Sequence, residues 1–239
     1  MKSPSRRNLL KAVALTPAVA VIPLEAVVRG AREARAAAPA YAQPPEVYLT
    51  ASELGFVEAA VARIIPNDEL GPGAKEAGVG TFIDHQLAGP YGRAERWYMQ
   101  GPWKQGEHEQ GYQLKLTPAE LYRAAIADIE QYVRGKYGNK SFAELDAKTQ
   151  DDVLHELEKN DVQLAHVPAD TFFNMLVDNT VEGFLADPVY GGNRDFVGWK
   201  LIGFPGPRYN YVAEIDQYGK RYDMPYVSIA GRDAAVRKG

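Results

Sequence analysis

The 239-residue chain contains no cysteine. That excludes disulfides, iron–sulfur clusters, covalently attached c-type haem and thiol catalysis within this chain. Serine is almost as scarce. Beyond residue 50 only Ser52, Ser141 and Ser228 occur, and none lies in the Gly-x-Ser-x-Gly elbow of a hydrolase nucleophile. Neither Gly-x-Gly-x-x-Gly after a strand nor Gly-x4-Gly-Lys-Ser/Thr is present, so no phosphate cradle is expected. There are four histidines, His85, His108, His155 and His166, and no two lie three or four apart on one helix, as a helical metal pair requires. His85 reads as a packing residue and Glu107-His108-Glu109 as a solvated charged loop. His155, four residues after Asp151, reads as half of a surface pair. Internal repeats and alternating strand patterns are missing. Apolar residues make up 46% and charged residues 24%, the balance of an ordinary globular protein with one domain and a sizeable core.

Basic charge is missing from most of the chain. Residues 1–40 hold seven Lys or Arg against two acids, and the remainder holds 20 against 29, although the whole chain is only −4. A body that acidic argues against nucleic acid or an anionic membrane surface as its partner.

The basic N-terminus has an order of its own. Ser5-Arg6-Arg7-Asn8-Leu9-Leu10-Lys11 precedes an apolar stretch from Ala12 to Leu24, and small residues crowd Ala34 to Ala42, with candidate A-x-A cleavage sites at Ala36-Ala37-Ala38 and Ala38-Pro39-Ala40. This is the three-part layout of a signal peptide. The apolar part is too short for a membrane-spanning helix, which needs about 20 residues. Arg6 and Arg7 followed by Leu9, Leu10 and Lys11 mark the twin-arginine route, a receptor-read address to the periplasm through the twin-arginine translocase. Residues 1–40 are therefore expected to be the export signal, 41–49 a Pro-containing linker and 50–239 the folded domain.

The body reads as mostly α, with five or six helices, long Gly/Pro/aromatic loops and an extended C-terminal arm. Thr50-Ala51-Ser52-Glu53 is a capping box, followed by Leu54, Val57, Val61, Ile64 and Ile65 at helical spacing and stopped by Pro66. After a turn-rich stretch, Thr81–Leu87 is predicted to be a short helix burying Phe82, Ile83 and Leu87. Residues 89–116 show no period but hold five glycines, two prolines, two tryptophans and three tyrosines. So long an irregular stretch points to function or to ordering by a partner. Thr117-Pro118-Ala119-Glu120 is a second capping box, with a stripe of Leu121, Ala125, Ile126, Ile129, Tyr132 and Val133 closed by Gly135 or Gly138. Asp146 is expected to cap a helix with Gln150, Val153, Leu154 and Leu157 on one face. The clearest helix spans Ala169 to Ala186, with a predicted buried side of Phe173, Leu176, Val177, Thr180, Val181, Phe184 and Leu185. Asp187-Pro188 ends it, and a last short helix is predicted over about 195–202.

Chemistry is hard to find on this chain. Loop carboxylates Asp68, Glu69, Asp187 and Asp195 leave open a carboxylate pair for glycoside hydrolysis. Otherwise no cofactor motif accompanies a route that carries folded, often cofactor-loaded cargo. The simplest resolution places the cofactor on another subunit that travels on this signal.

Two stretches carry a resemblance. One is Asn179-Thr180-Val181-Glu182-Gly183-Phe184-Leu185-Ala186-Asp187-Pro188-Val189-Tyr190-Gly191-Gly192-Asn193, continuing through Gly198-Trp199-Lys200-Leu201-Ile202-Gly203-Phe204-Pro205-Gly206. The other is Arg63-Ile64-Ile65-Pro66-Asn67-Asp68 with Gly71-Pro72-Gly73-Ala74, Ala77-Gly78-Val79 and Phe82-Ile83-Asp84. Gly89-Pro90-Tyr91-Gly92 and Gly111-Tyr112-Gln113 with Leu116-Thr117-Pro118 also fit. Together they resemble the gluconate 2-dehydrogenase subunit 3 family over about residues 50–207. The resemblance implies a small non-catalytic subunit with no cofactor of its own. It also implies a large FAD-bearing partner of the glucose–methanol–choline type and, in many such complexes, a multihaem cytochrome c subunit that ties the assembly to the membrane. Tyr and Trp anchors among Gly and Pro suit an interface. The candidate partner contacts are accordingly Tyr190, Gly191, Gly192, Asn193, Trp199, Phe204, Tyr209 and Tyr211, with Tyr91, Trp97 and Trp103 from the earlier loop. The rival expectations are a stand-alone periplasmic hydrolase using the loop carboxylates, and a periplasmic binding or structural module, against which the missing strands already count.

Overall fold

The computed structural model describes residues 48–231 except 105, 107–110, 209, 221 and 223. The expected signal, with Arg6, Arg7, Leu9, Leu10 and Lys11, lies outside the described residues, as do most of the linker, Glu107-His108-Glu109 and Tyr209. The described residues form one mostly helical domain with six α-helices and no strand. They are α1 Ala51–Ile64, α2 Val79–Ala88, α3 Pro118–Lys136, α4 Ala147–Glu158, α5 Ala169–Leu185 and α6 Val197–Ile202. No helix among these residues is long and apolar enough to cross a membrane.

Local sequence starts α1, α3 and α4. Thr50 and Glu53 form the reciprocal capping box of α1, and Thr117 and Glu120 that of α3, with Pro118 in the first turn where its missing N–H costs nothing. Asp146 caps α4 by accepting from the Thr149 amide at 3.1 Å. Helix α2 begins two residues earlier than its apolar pattern suggests. Its N-cap is Gly78 in the left-handed region (φ 78°), a position without side-chain capping that glycine enters freely.

Helix α5 is the central element and packs against α1, α2, α3, α4 and α6. Its first half meets an aromatic cluster. Phe172 lies 6.2 Å from Phe56 of α1 and 5.4 Å from Tyr122 of α3, and Phe56 lies 4.8 Å from Phe142 in the short turn before α4. All four rings are buried, and truncating one such ring to alanine typically costs about 3–5 kcal/mol. The buried face of α5 differs from the sequence expectation. Ala169, Phe172, Leu176, Asn179, Thr180, Gly183 and Phe184 are inside, whereas Val181 is exposed and Phe173, Val177 and Leu185 are only partly covered. The reason is surroundings on several sides. Helix α5 contacts five others and keeps one exposed stripe through Asn174, Asp178, Val181 and Glu182, so its neighbours rather than the apolar pattern set which positions are inside. Helix α1 shows the same effect, burying Phe56 and Ala60 beside Val57 and Val61.

Polar groups tie the shell to this core. The buried Asp84 carboxylate of α2 accepts the amides of Tyr48 at 2.9 Å and Leu49 at 2.7 Å, which fixes where the chain enters α1. Asp151 does not pair with His155. The His155 Nδ1 instead lies 2.7 Å from the Asp151 carbonyl, and the carboxylate is clasped by Arg63 of α1 through two bonds of 2.7 and 2.8 Å.

Bonding to Arg63 holds the Asp151 carboxyl below its ordinary value. The folded state therefore releases this proton more readily than the unfolded one. The bridge's contribution is complete above the usual carboxylate range and is lost as pH falls through the depressed folded value. Arg63→Gln should flatten the acid side of the stability profile, read by urea unfolding from about pH 7 to about pH 3. An unchanged acid slope would show that the clasp contributes no pH-dependent stability.

Candidate partner interface

The segment after α5 is organised by an unusual demand. The last turn of an α-helix leaves carbonyls without intrahelical partners, and here that turn is packed among other backbone. Trp199 Nε1 donates to the Leu185 carbonyl at 2.7 Å, and Asn193 Nδ2 donates to the Ala186 carbonyl at 2.8 Å. Asn193 also accepts the Gly198 amide at 2.8 Å, so one fully buried side chain closes α5 and opens α6. A Cβ on Gly192 would lie 2.1 Å from the Gly183 carbonyl oxygen, and one on Gly198 would lie 2.0 Å from that of Phe184. The glycines are there because backbone meets backbone.

The same segment holds the turn between α1 and α2. The Arg194 amide donates to the Ala77 carbonyl at 2.9 Å, and the Gly191 carbonyl sits so close to Gly78 that a Cβ there would come within 2.9 Å of it. Asn193, Asp195 and Phe196 all adopt positive φ (46°, 57° and 60°). For phenylalanine this is a costly conformation. It is held by the Phe196 ring, which packs on Trp199 at 5.4 Å and on Tyr226 at 6.0 Å. The two stretches singled out in the sequence thus meet in space and brace each other.

The candidate contacts consequently divide. Gly191, Gly192, Asn193 and Trp199 are buried within the chain and do internal work. Tyr190, 50% exposed, and Phe204, stacked edge-on against Trp199 at 5.0 Å, present surface, and Tyr211 is half-buried with its hydroxyl donating to the Gly206 carbonyl. In the 89–116 stretch, Tyr91 and Trp97 are half-buried. Tyr91 donates to Asn179 Oδ1 of α5 at 3.1 Å, and the buried Tyr122 hydroxyl shares that acceptor at 2.8 Å. Burial pushes the Tyr91 hydroxyl up to about 12 and holds the Tyr122 hydroxyl well above its ordinary value, so both act as neutral donors. Trp97 packs between Tyr91 (5.9 Å) and Tyr112 (5.1 Å), and Trp103 and Tyr98 line an open cleft beside them. Sequence reasoning missed Tyr98, which at 81% exposure is the more accessible aromatic of this loop. It also missed Ile215 and Tyr218 of the arm, which the apolar and aromatic residues gathered between Gly206 and Gly219 could have flagged.

Two of the four loop carboxylates, Asp68 and Asp187, accept hydrogen bonds in local structure. Asp68 accepts the Leu70 amide at 2.8 Å, closing a tight turn. Asp187 accepts the amides of Val189 and Ile229 and the hydroxyl of Ser228, at 3.0, 2.8 and 2.7 Å, which ties the C-terminal arm to the end of α5. Among the described residues no cluster of three His, Asp or Glu side chains could hold a metal ion. These polar groups order a helical scaffold that leaves Tyr98, Tyr190 and Phe204 exposed.

The family described as gluconate 2-dehydrogenase subunit 3 matches residues 51–206, and the chain belongs to that family. No curated protein and no solved structure matches it.

Two glycines should respond with opposite signs. Gly192→Ala forces a Cβ into the Gly183 carbonyl and should lower stability by about 2–3 kcal/mol. Gly55→Ala, in α1 with nothing within 4 Å of the new Cβ, should raise it by about 0.5–1 kcal/mol. Denaturant midpoints of the two variants decide. A neutral Gly192→Ala would mean that this junction is looser than the close approach implies.

Proposed function

We propose that this chain is the non-catalytic small subunit of a periplasmic FAD-dependent dehydrogenase acting on a sugar, sugar acid or polyol. The observation that carries the reading is the family match across residues 51–206, almost the whole helical domain. Its role is binding. It stabilises a large flavin-bearing partner of the glucose–methanol–choline type and braces that partner against a multihaem cytochrome c subunit.

Three further observations support it. The Arg6-Arg7 signal fits a chain that carries a folded companion through the twin-arginine route. The prominent carboxylates Asp84, Asp151 and Asp187 accept hydrogen bonds that order the fold. Exposed aromatic residues such as Tyr98 and Tyr190 remain for contact with another protein.

Purification of the C-terminally tagged full chain from periplasm and membranes of its native host should yield a stoichiometric companion with flavin absorbance. A colourless chain recovered alone would refute the subunit reading. Arg6→Lys combined with Arg7→Lys should leave the dehydrogenase activity in the cytoplasm, measured by fractionation with a dye-linked assay. Normal periplasmic activity in that double variant would sink the carrier role.

A further inference from the structure

Helix α6 is too short to hold itself. It has six residues, of which only Gly198 and Trp199 are buried, while Leu201 and Ile202 are 52% and 59% exposed. Isolated helices shorter than about 12–15 residues are marginal in water. Its entry is unfavourable as well, because Asp195 and Phe196 precede it at φ 57° and 60°. The end of α5 supplies one side of its seat, through Trp199 on the Leu185 carbonyl and Asn193 on the Gly198 amide. A segment from much later in the chain supplies the other.

Residues 226–229 return to the junction and touch each of its parts. The Tyr226 ring stacks on Phe196 at 6.0 Å with 28° between the planes. The Val227 amide donates to the Pro205 carbonyl at 3.1 Å, just beyond the end of α6. A Cβ on Gly206 would lie 2.0 Å from the Val227 carbonyl oxygen and 2.9 Å from the Trp199 ring, so the returning backbone and the indole close around this glycine. Ser228 is buried, and its hydroxyl donates to Asp187 Oδ1 at 2.7 Å, while the Ile229 amide donates to Asp187 Oδ2 at 2.8 Å. One short segment thus grips the stop of α5, the strained entry to α6 and the chain leaving α6.

This junction is separable from the main core. Phe196 and Trp199 are buried, yet both lie outside the large cluster of core side chains that joins α1 to α5. Their rings pack on each other, on Phe204 and on Tyr226. A satellite cluster of this kind can open without unfolding the body beneath it.

We propose that residues 226–229 form a releasable strap that sets the position of α6. With the strap seated, Phe196 is held at positive φ and α6 is closed against the end of α5. With the strap released, Phe196 relaxes to an ordinary backbone conformation, and residues 194–204 open together while α1 to α5 stay folded. The exposed Leu201, Ile202 and Phe204 therefore keep fixed positions relative to the body only in the strapped state. This device does not rest on the subunit reading, and its test is separate from the test of that reading.

Hydrogen exchange of the full chain, followed by mass spectrometry, provides the test. The reporting amides are those of Arg194, Gly198 and Phe204, which donate to the Ala77 carbonyl, Asn193 Oδ1 and the Trp199 carbonyl. Tyr226→Ala combined with Ser228→Ala should raise exchange across residues 194–204 roughly tenfold or more, with rates across α1, α3 and α4 unchanged. Ser228→Ala alone should give a smaller rise confined to the same segment, and Tyr226→Phe, which keeps the stacked ring, should leave it protected. Unchanged exchange over residues 194–204 in the double variant overturns the proposal. So does a rise spread evenly over all helices, or failure of both Ser228 variants to fold, since either result makes the strap part of one global unit rather than a local lock.

Discussion

The end of α5 sets the constraint on which the rest of the structure depends. The last carbonyls of α5 lie against the returning chain, and an unsatisfied buried carbonyl costs about 1–3 kcal/mol. The chain answers with Trp199 Nε1 on Leu185 and Asn193 Nδ2 on Ala186, and with glycines wherever the returning backbone lies against the helix. Because Asn193 also accepts the Gly198 amide, closing α5 and starting α6 are one event. Because Arg194 donates to Ala77, the same event fixes the start of α2. A single Asn-centred junction therefore holds three helices and carries the strained Phe196.

That junction decides what remains for a partner. Of the motif residues that looked like contacts when read in isolation, the junction consumes Gly191, Gly192, Asn193 and Trp199 and leaves Tyr190 and Phe204 at the surface. The accessible surface falls instead to side chains such as Tyr190, Tyr98 and, in the C-terminal arm, Ile215 and Tyr218. The same division explains the engaged carboxylates. Asp187 accepts bonds from the arm, so the arm is anchored through the end of α5 as well. Packing, arm placement and outward surface are linked through one short segment.

Much of the helical framework was legible along the chain. Both Thr/Glu capping boxes, the Asp146 cap and the Asp187-Pro188 stop use groups within a few residues of one another, so local chemistry is sufficient. The face of α4 was also readable, since Gln150, Val153, Leu154 and Leu157 meet the core on one side only. The face of α5 was legible only in part: Leu176, Thr180 and Phe184 are inside as expected, but contacts with several helices bury Asn179 and Gly183 where an apolar pattern expects Val177 and Val181. Asp151 illustrates the same limit. Its partner was sought four residues away on its own helix, whereas the guanidinium it meets belongs to α1.

The sequence by itself determined the fold class, the caps and stops of the helices, the uneven charge and the family, because these reside in neighbouring residues or in residue identity. The tertiary structure alone decided which glycines are required, that Asn193 and Trp199 face inward, and that the arm returns to the junction through residues 226–229. Those outcomes depend on contacts between segments far apart in the chain. Backbone approach and hydrogen-bond satisfaction across such distances are properties of the packed molecule, and no local pattern encodes them.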